Sequence, residues 1–508
     1  MSLTSWAVSR LSGRHWKRFE RACARPADSQ VAVLRELLRR AAETQWGRRY
    51  RFGDTRSPEA FRRRMPITGY KEASESWHRA FEGATDVTWP GHVRYFALSS
   101  GTTAGNKLLP VTRDAIRSNL RSGALLVAAL ARRGGAESVT AGRFLYLGGC
   151  TTLRERGRSL YGDASGIVAR HIPFWARGRS LPEADIRALA NWEEKIAGIV
   201  ERYLTADVAA LSACPSWAAM LFKHLREAAA ARGLPDGEIG RLWPKLAHFV
   251  SYGMAFEPYR RAFEEYIGRP IHFTDTYSSS EAGMSAIQEE AGGPLRLIVD
   301  NGVYYEFVPA DRADEPAPPR LHVGEVAEGE DYAVVVTSNG GLWAYPLGDV
   351  VRFVSLCPPR IVFSGRTRLQ LSAFGEHVTL RMIEQAVAHA CEQTRAAVTD
   401  YTVSPRYPTP EQPVPGHRWI VEFDRAPADN AAFMRAADES IRRENEDYDT
   451  HRTDDFGLQP PRLVPVAPGT FYEWMKRRGK LGGQHKVPRV ASTPAMADEL
   501  LAISAQRE

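Results

Sequence analysis

A stretch rich in hydroxyls and glycine precedes Lys107, and its chemistry suits phosphate. It follows a short apolar run at residues 95–98 that is typical of a strand, and a second apolar run covers residues 108–111. Glycines let backbone N–H groups turn inward, hydroxyls donate hydrogen bonds, and lysine adds a positive charge. This pattern predicts a site for a triphosphate or an acyl phosphate, although an ordinary polar turn fits equally well in isolation. The candidate residues are Ser99, Ser100, Gly101, Thr102, Thr103 and Lys107.

A second segment combines an aromatic ring, hydroxyls and a carboxylate directly after a predicted strand. It reads Thr276-Tyr277-Ser278-Ser279-Ser280-Glu281. An aromatic ring can stack on a purine, a hydroxyl can reach phosphate, and a carboxylate can hold Mg²⁺ together with phosphate oxygens. A polar helix cap with an acidic first turn is the alternative interpretation.

Two further segments carry groups that a nucleotide site needs. Gly348-Asp349 predicts a tight turn whose carboxylate can bind a ribose diol, although such turns are common. Residues 479–486 form a glycine-rich stretch with Lys480 and Lys486 near the end of the chain. This stretch is either an ordinary surface loop or a mobile segment whose lysine swings into an active site.

The elements that must position these groups alternate between helices and strands. Helical spacing covers residues 6–23, 30–44, 182–204, 215–231, 258–267, 380–396 and 429–445. Strand-like runs cover residues 139–147, 249–252, 271–274, 295–299, 303–308, 333–337, 350–354, 360–363 and 418–423. This mixture predicts an α/β architecture. The composition changes after Gly365, so we expect a large domain over residues 1–365 and a small one over 366–508.

Composition narrows the class of protein. The chain has 508 residues, 44% hydrophobic and 25% charged, with a net charge of +7. Its basic residues are scattered along the chain, which argues against nucleic-acid binding. The five cysteines form no CxxC pair, so neither a disulfide framework nor a cysteine zinc site is indicated. Without a signal-like or membrane-spanning apolar segment, we expect a cytoplasmic protein.

Taken in order, these segments resemble the GH3 family of acyl acid amido synthetases. Residues 99–107 match its motif Ser-Ser-Gly-Thr-Thr-x-Gly-x-x-Lys with one spacing residue fewer. Residues 277–281 match Tyr-x-x-Ser/Thr-Glu, and residues 345–349 correspond to Tyr-Arg-x-Gly-Asp. Shorter stretches at residues 162–167, 215–217, 256–259, 365–367 and 486–489 extend the resemblance over nearly the whole chain and look like the bacterial branch.

Two departures from the family pattern stand out. Pro346 replaces the usual arginine of the third motif. The contact that this arginine makes in the family is therefore lost, or it is supplied by Arg352 or Arg366. Ser251-Tyr252-Gly253 occurs where many relatives have a glycine pair. The second change is expected to reshape the wall of the site near adenine or the acyl group.

The resemblance implies an adenylate-forming, luciferase-like fold with a large N-terminal α/β domain of mixed sheets and a small, mobile C-terminal α+β domain. It also implies an ATP- and Mg²⁺-dependent reaction. A carboxylic acid becomes an acyl-adenylate with release of pyrophosphate, and an amine such as an amino acid then displaces AMP. We expect a monomer or a weak dimer.

The family motifs also imply roles for individual residues. Lys486, Lys107 and Ser280 are the expected catalytic residues, and Glu281 is the expected Mg²⁺ ligand. Tyr277 would flank adenine, Asp349 would bind ribose, and Arg366 would lie at the hinge. The remaining nucleotide contacts would come from residues 99–103 and Thr276.

The acyl pocket is the least specified part of the site. Tyr161, Asp163, Ser165 and Tyr252 are candidates for its wall, while Trp175 and Trp217 fit an ordinary core at least as well. Two alternatives to amide synthesis stay open. One is a ligase that uses CoA or a carrier protein as acceptor, and the other is a nucleotide-binding protein without turnover.

Overall fold

Helices and strands alternate along the computed structural model, which describes residues 3–100, 106–234, 238–254, 256–313, 315–366, 370–371, 376, 378–406, 415–445, 448–449, 452, 458–482, 485–491 and 494–507. The helices are α1 Leu3–Cys23, α2 Pro26–Ala41, α3 Gln45–Arg49, α4 Pro58–Arg64, α5 Tyr70–Phe81, α6 Arg113–Thr140, α7 Ala164–Ala169, α8 Phe174–Arg177, α9 Ala184–Arg187, α10 Trp192–Tyr203, α11 Pro215–Ala231, α12 Ile239–Leu242, α13 Arg260–Ile267, α14 Leu380–Thr394, α15 Asn430–Glu444, α16 Thr470–Arg477 and α17 Ala495–Ser504.

The strands form four sheets among the described residues. They are β1 Tyr95–Ser100, β2 Asn106–Val111, β3 Arg143–Tyr146, β4 Arg154–Arg156, β5 Ser159–Gly162, β6 Ser180–Leu181, β7 Val208–Ala213, β8 His248–Tyr252, β9 His272–Ser279, β10 Gly283–Gln288, β11 Leu295–Leu297, β12 Val303–Pro309, β13 Leu321–His322, β14 Asp331–Ser338, β15 Leu342–Leu356, β16 Pro359–Arg366, β17 Gln370–Leu371, β18 Val378–Thr379, β19 Ala397–Arg406, β20 Gly416–Arg425 and β21 Arg462–Val466.

The largest sheet combines a parallel half with an antiparallel half. Its strand order is β13-β12-β14-β15-β16-β11-β10-β9-β8-β7-β3-β6. Strands β6, β3, β7, β8 and β9 run parallel, and pairing is antiparallel from β9 to β13. Every residue of β7 is buried, as expected for a parallel strand covered on both faces. The carboxyl ends of these strands meet at one edge, where sheets of this kind place ligands.

Helix α6 is the longest element of the fold, and the sequence analysis did not predict it. It begins at the cap of Thr112, whose hydroxyl accepts a hydrogen bond from the Ala115 N–H at 3.1 Å. It packs against α1 and bends at Gly135, where φ is 79°. The strand expected from residue 139 begins only at Arg143, because the helix continues through Thr140.

The helix expected over residues 182–204 is two helices, α9 and α10. The side chain of Asn191 accepts hydrogen bonds from the N–H groups of Glu193 and Glu194 at 2.8 and 3.2 Å. Asparagine in this position favours a new helix start over continuation of the preceding helix. The periodicity of the apolar residues did not reveal this break.

The three-stranded sheet of the C-terminal part has the order β19-β20-β21, and α14 and α15 pack against it. Strand β16 ends at Arg366, near the domain boundary predicted at residues 365/366. A hydrophobic core also crosses between the two parts, where Phe471 and Trp474 of α16 join the cluster that contains Trp217 and Leu221 of α11. The position of the boundary and the mobility of the small domain stay predictions.

Two expectations from composition can be compared with the structure. The cysteines carry free thiols, in agreement with the absence of a disulfide pattern. Among the described helices, none has both the length and the apolar character needed to cross a membrane. The expected cytoplasmic location and oligomeric state stay predictions.

Candidate active site

The carboxyl ends of the parallel strands border a cavity of about 1610 Å³. Four segments that are distant in sequence contribute to its lining. The polar residues expected from the motifs that line it are Lys107, Thr276, Ser280, Glu281, Asp349 and Lys486. The fold therefore brings the four sequence motifs together at one site.

Lys107 lies near the start of β2, opposite Ser99 of β1. Its Nζ is 3.5 Å from the hydroxyl of Tyr345 and 5.8 Å from the ring centre of Tyr70. Burial, with a smaller contribution from the charge of Glu281, raises the pKa of Tyr345, so its phenol stays neutral beside the ammonium. Residues 101–105 and the side chains of Ser99 and Ser100 lie outside the described residues, so their predicted contacts stay predictions.

Tyr277 and Asp349 come together from β9 and β15. The Tyr277 hydroxyl donates a hydrogen bond to the Asp349 carboxylate at 2.8 Å, and Asp349 is only 6% exposed. The neighbouring Thr276 donates to the carbonyl of Ser251 at 3.0 Å, which ties β9 to β8. The sequence motifs imply that Tyr277 and Asp349 contact different parts of a nucleotide, and they give no sign that the two side chains bond each other.

Strand β15 is longer and more irregular than the predicted run at residues 350–354. Its pairing with β14 shifts register twice, and Ala344 has a left-handed φ of 45°. Gly348 also has a positive φ, of 80°, which glycine adopts without the strain caused by a Cβ. Irregularities of this kind turn side chains away from the regular pleat, and here they accompany the turn of Tyr345 and Asp349 toward the cavity.

Pro346 lines the cavity in place of the family's arginine. Of the two arginines considered as substitutes, Arg352 is held by Asp331 through contacts of 3.0 and 2.6 Å. The backbone of Arg366 pairs with Asp349 across β16 and β15. The side chain of Arg366 lies outside the described residues, so its proposed role at the hinge stays a prediction.

Lys486 reaches the cavity from the C-terminal part of the chain. Its ammonium donates a hydrogen bond to the carbonyl of Gly253, directly after β8. A Cβ at Gly253 would overlap this ammonium, and the φ of Gly253 is +85°. The glycine that follows Ser251 and Tyr252 therefore adopts this φ without strain and leaves room for the Lys486 ammonium.

Arg489 anchors the same segment and was not among the predicted site residues. It is 6% exposed, and its guanidinium bonds the Asp400 carboxylate and the Tyr401 carbonyl, both on β19. It also donates to the Tyr259 hydroxyl at 2.6 Å and contacts the sulfur of Met254 at 3.3 Å. Burial is the largest single influence and lowers the pKa of Arg489, but the contacts with Asp400, Tyr259 and Tyr401 together outweigh it and raise this pKa well above its usual range. Arg489 is therefore a permanent cation between the two parts.

Hydrogen bonds between backbones hold this segment to the C-terminal sheet. The Val403 N–H donates to the Arg489 carbonyl at 2.9 Å, and the Ala491 N–H donates to the Val403 carbonyl at 2.8 Å. Lys486 therefore lies three residues before a point that is fixed to β19. The sequence offered only the short resemblance at residues 486–489 as a signal for Arg489.

The candidates for the acyl wall divide into two groups. Tyr252 and Ser165 line the cavity, and the Tyr252 hydroxyl donates to the Leu147 carbonyl at 2.7 Å. Tyr161 instead packs edge-on against Phe81, with ring centres 5.5 Å apart, and Asp163 accepts a hydrogen bond from the Cys150 N–H at 2.8 Å. These contacts give Tyr161 and Asp163 roles in packing and in holding a loop.

The two tryptophans considered at the acyl wall differ in what the structure describes. Trp217 lines the cavity and packs against Trp192, with ring centres 4.8 Å apart. Its indole N–H lies 3.4 Å from the carbonyl of His485, one residue before Lys486. The side chain of Trp175 lies outside the described residues.

Comparison with known proteins gives matches over most of the chain. The model of the GH3 family N-terminal domain matches residues 15–157 and 151–271, the central domain matches 296–366, and the C-terminal domain matches 381–495. Indole-3-acetic acid-amido synthetase GH3.8 of Oryza sativa subsp. indica is 25% identical, over 93% of this chain and 89% of that protein. The plant origin of this relative leaves the bacterial origin expected from the sequence as a prediction.

Solved structures with the same fold include two kinds of ligase. The acyl acid amido synthetase AtGH3.15 in complex with 2,4-DB has a TM-score of 0.76 at 21% identity, covering 97% of this chain and 96% of that one. 2-Hydroxyisobutyryl-CoA ligase in its postadenylation state has a TM-score of 0.59 at 16% identity, covering 93% and 91%. The predicted adenylate-forming fold is thereby confirmed.

Proposed function

This chain belongs to the GH3 family, and we propose that it is an acyl acid amido synthetase that joins a carboxylic acid to an amine at the expense of ATP. Two of the proteins named above are amido synthetases, and one of these, AtGH3.15, has the same fold. The observation that carries the proposal is the meeting of Lys107, Ser280, Glu281, Asp349 and Lys486 at one cavity. Four separate segments supply these groups, a convergence that a chance polar turn does not produce.

The first half-reaction forms the acyl-adenylate. A carboxylate oxygen attacks the α-phosphorus of ATP, the bond to the β-phosphate oxygen breaks, and pyrophosphate leaves. Negative charge accumulates on the phosphate oxygens during this step, so fixed donors and cations lower its barrier. Lys107 and Lys486 supply the cations, and the hydroxyl of Ser280 supplies a donor.

Asp349 and Tyr277 form the nucleoside end of the proposed site. The hydrogen bond from Tyr277 holds the Asp349 carboxylate in place at the edge of the cavity. We assign this carboxylate to the ribose hydroxyls of ATP, as the family resemblance implies. The ring of Tyr277 is the candidate surface for adenine, as the family resemblance implies.

Glu281 is the candidate ligand for Mg²⁺. A single carboxylate that faces a phosphate site suits this ion, which keeps several waters and takes one or two carboxylates plus phosphate oxygens. Glu281 lines the cavity together with Lys107 and Ser280, so the donor chemistry fits. When bound, the ion would neutralise charge on the ATP phosphates.

In the second half-reaction a neutral amine attacks the acyl carbon, AMP leaves, and the amine gives up a proton. AMP is a good leaving group because its negative charge is delocalised over the phosphate. Trp217 and Tyr252 lie on the same side of the cavity as Lys486, between the two parts of the chain. We place the entry of the amine in this cleft.

The test is carboxylate-dependent exchange of radioactive pyrophosphate into ATP, followed by product mass spectrometry with amino acids and with CoA. We expect exchange with at least one acid and an amide product. Lys486→Ala should abolish exchange, whereas Lys476→Ala, an exposed lysine paired with Glu193, should leave it unchanged. Tight ATP binding without exchange for any acid would refute the proposal, and thioester formation with CoA but no amide would replace it.

A further inference from the structure

We infer that the acid substrate has a long aliphatic chain, which lies in an apolar channel between α6 and β3. This inference rests on the proposed function and specifies its substrate class. The same cavity that holds Lys486 and Glu281 continues along α6 as far as Thr140 and Gly142. It is therefore much deeper than the phosphate site.

The wall formed by β3 shows how far the channel extends. Tyr146 and Phe144 line the cavity from one face of β3, and Gly142, directly before the strand, lines its far end. The ring of Tyr146 lies 5.8 Å from that of Tyr252, beside the point reached by Lys486. Four residues at about 3.3 Å each place Gly142 roughly 13 Å from this end.

The opposite wall is one face of α6. The lining residues Leu120, Ala124 and Val127 follow helical spacing, and Asn119 stands at the end near Gly283. From Asn119 to Val127 the helix rises about 12 Å, at 1.5 Å per residue.

The third wall comes from α7, the turn that follows it and α8. Val168, Ile172 and Ala176 line the cavity at a spacing of four residues. Among the described lining residues between Tyr252 and the far end of β3, the side chains are mainly aliphatic or aromatic, and none is a carboxylate. The guanidinium of Arg179 lies at the far end, where it donates hydrogen bonds to the carbonyls of Thr140 and Gly142. At the far end, Leu11 of α1 lines the cavity and is 55% exposed, so the channel reaches the surface beside α1.

Gly123 provides an independent observation of open space along this wall. It lies inside α6, where glycine costs stability relative to alanine. A Cβ built at Gly123 would meet no atom within 4 Å, although the adjacent Ser122 and the nearby Leu125 are buried. A side chain at this position would therefore project into the channel without displacing protein atoms.

These features favour a flexible aliphatic chain over a compact aromatic acid. A tube about 13 Å long, bounded by methyl and ring surfaces, leaves most of its apolar wall uncovered when a single aromatic ring is bound. An aliphatic chain covers that wall continuously. Each buried methylene is expected to improve kcat/KM by about fourfold, the equivalent of about 0.8 kcal/mol, until the chain reaches the mouth.

The experiment measures pyrophosphate exchange with straight-chain acids from butanoate to hexadecanoate and with benzoate and indole-3-acetate. We expect kcat/KM to rise with chain length and to exceed the values for both aromatic acids. Gly123→Leu should lower the ratio of kcat/KM for dodecanoate to that for hexanoate by at least tenfold. Gly13→Leu, at a position that also has open space but lies outside the cavity, should leave this ratio unchanged.

Calorimetric titration with dodecanoate separates the possible failures. If no acid supports exchange but dodecanoate binds to the wild-type protein and not to Gly123→Leu, the proposed function fails and the channel stands. If aromatic or short acids support exchange as well as long ones do, the channel inference fails and the function stands. An unchanged ratio in a folded Gly123→Leu protein, or in Ala124→Leu if the first variant does not fold, also overturns the inference.

Discussion

Removal of a single hydroxyl at Tyr259 should uncouple the two half-reactions. Tyr259 belongs to the N-terminal part, and its phenol accepts a hydrogen bond from Arg489 at 2.6 Å. Arg489 in turn lies three residues after Lys486, on a segment bound to β19. Tyr259→Phe therefore removes a bond between the two parts while Asp400 and Tyr401 still hold Arg489 within its own sheet.

The size of the effect follows from the charge and burial of this bond. A hydrogen bond to a charged group contributes about 1.5–3 kcal/mol, and both partners are nearly inaccessible to solvent. At about 1.4 kcal/mol per factor of ten, docking of the Lys486 segment should weaken by roughly 10- to 150-fold. The cation–π contact between Arg489 and the Tyr259 ring survives in phenylalanine, which favours the lower part of this range.

The assay compares adenylation with amide formation from synthetic acyl-adenylate in a rapid-quench experiment. Adenylation should slow by roughly 10- to 150-fold, because it needs Lys486 at the phosphate. Amide formation from added acyl-adenylate should change by less than about threefold. Tyr332→Phe is the control, since the Tyr332 hydroxyl also accepts a hydrogen bond, partly buried, from the Ala327 N–H, but lies away from Lys486. Equal losses in both half-reactions, or no loss in either, would refute the positioning role of Arg489.

Three further predictions test other parts of the structure. Lys107→Ala should lower kcat/KM for adenylation by about 100-fold or more, measured by pyrophosphate exchange, because it removes a cation from the phosphate site; a loss below about threefold would contradict this role. Tyr277→Phe should raise the KM for ATP by about tenfold, because Asp349 loses the donor that orients it; an unchanged KM would place ribose elsewhere. His248 has a pKa lowered to about 3, chiefly by burial, so its neutral form stabilises the fold above pH 6.5 and this stability is lost as the pH falls toward 3. In urea unfolding, the free energy of unfolding of the wild type should fall by about 3 kcal/mol more between pH 7 and pH 4 than that of His248→Gln. An equal fall in both proteins would show that this histidine is not the titrating group.

Local sequence patterns predicted the phosphate stretch, the carboxylate at Glu281 and the late lysine at Lys486. These features are visible because glycine, hydroxyl and charged residues occur within a few positions of each other, and their chemistry does not depend on distant partners. The helices and strands with clear periodicity were also predictable, as α11 and β12 show. Helix α6 was not predicted, because apolar residues occur both on its buried side, as at Leu125, and on its lining side, as at Leu120 and Val127, so it lacks the single apolar stripe of an ordinary amphipathic helix.

The contact between Tyr277 and Asp349 depends on the register of β9 and β15 in a sheet whose pairing is nonlocal. The position of Arg489 between Asp400 and Tyr259 depends on how the C-terminal sheet packs against the N-terminal part. No residue close to Arg489 in the sequence indicates these contacts. The channel is formed only where α6, α7 and β3 surround the same space. The sequence by itself therefore determined the residue types for carboxylate activation and the family of the chain. Tertiary packing alone decided which of those residues touch and how much room the acid has, since both depend on contacts between segments that are tens to hundreds of residues apart.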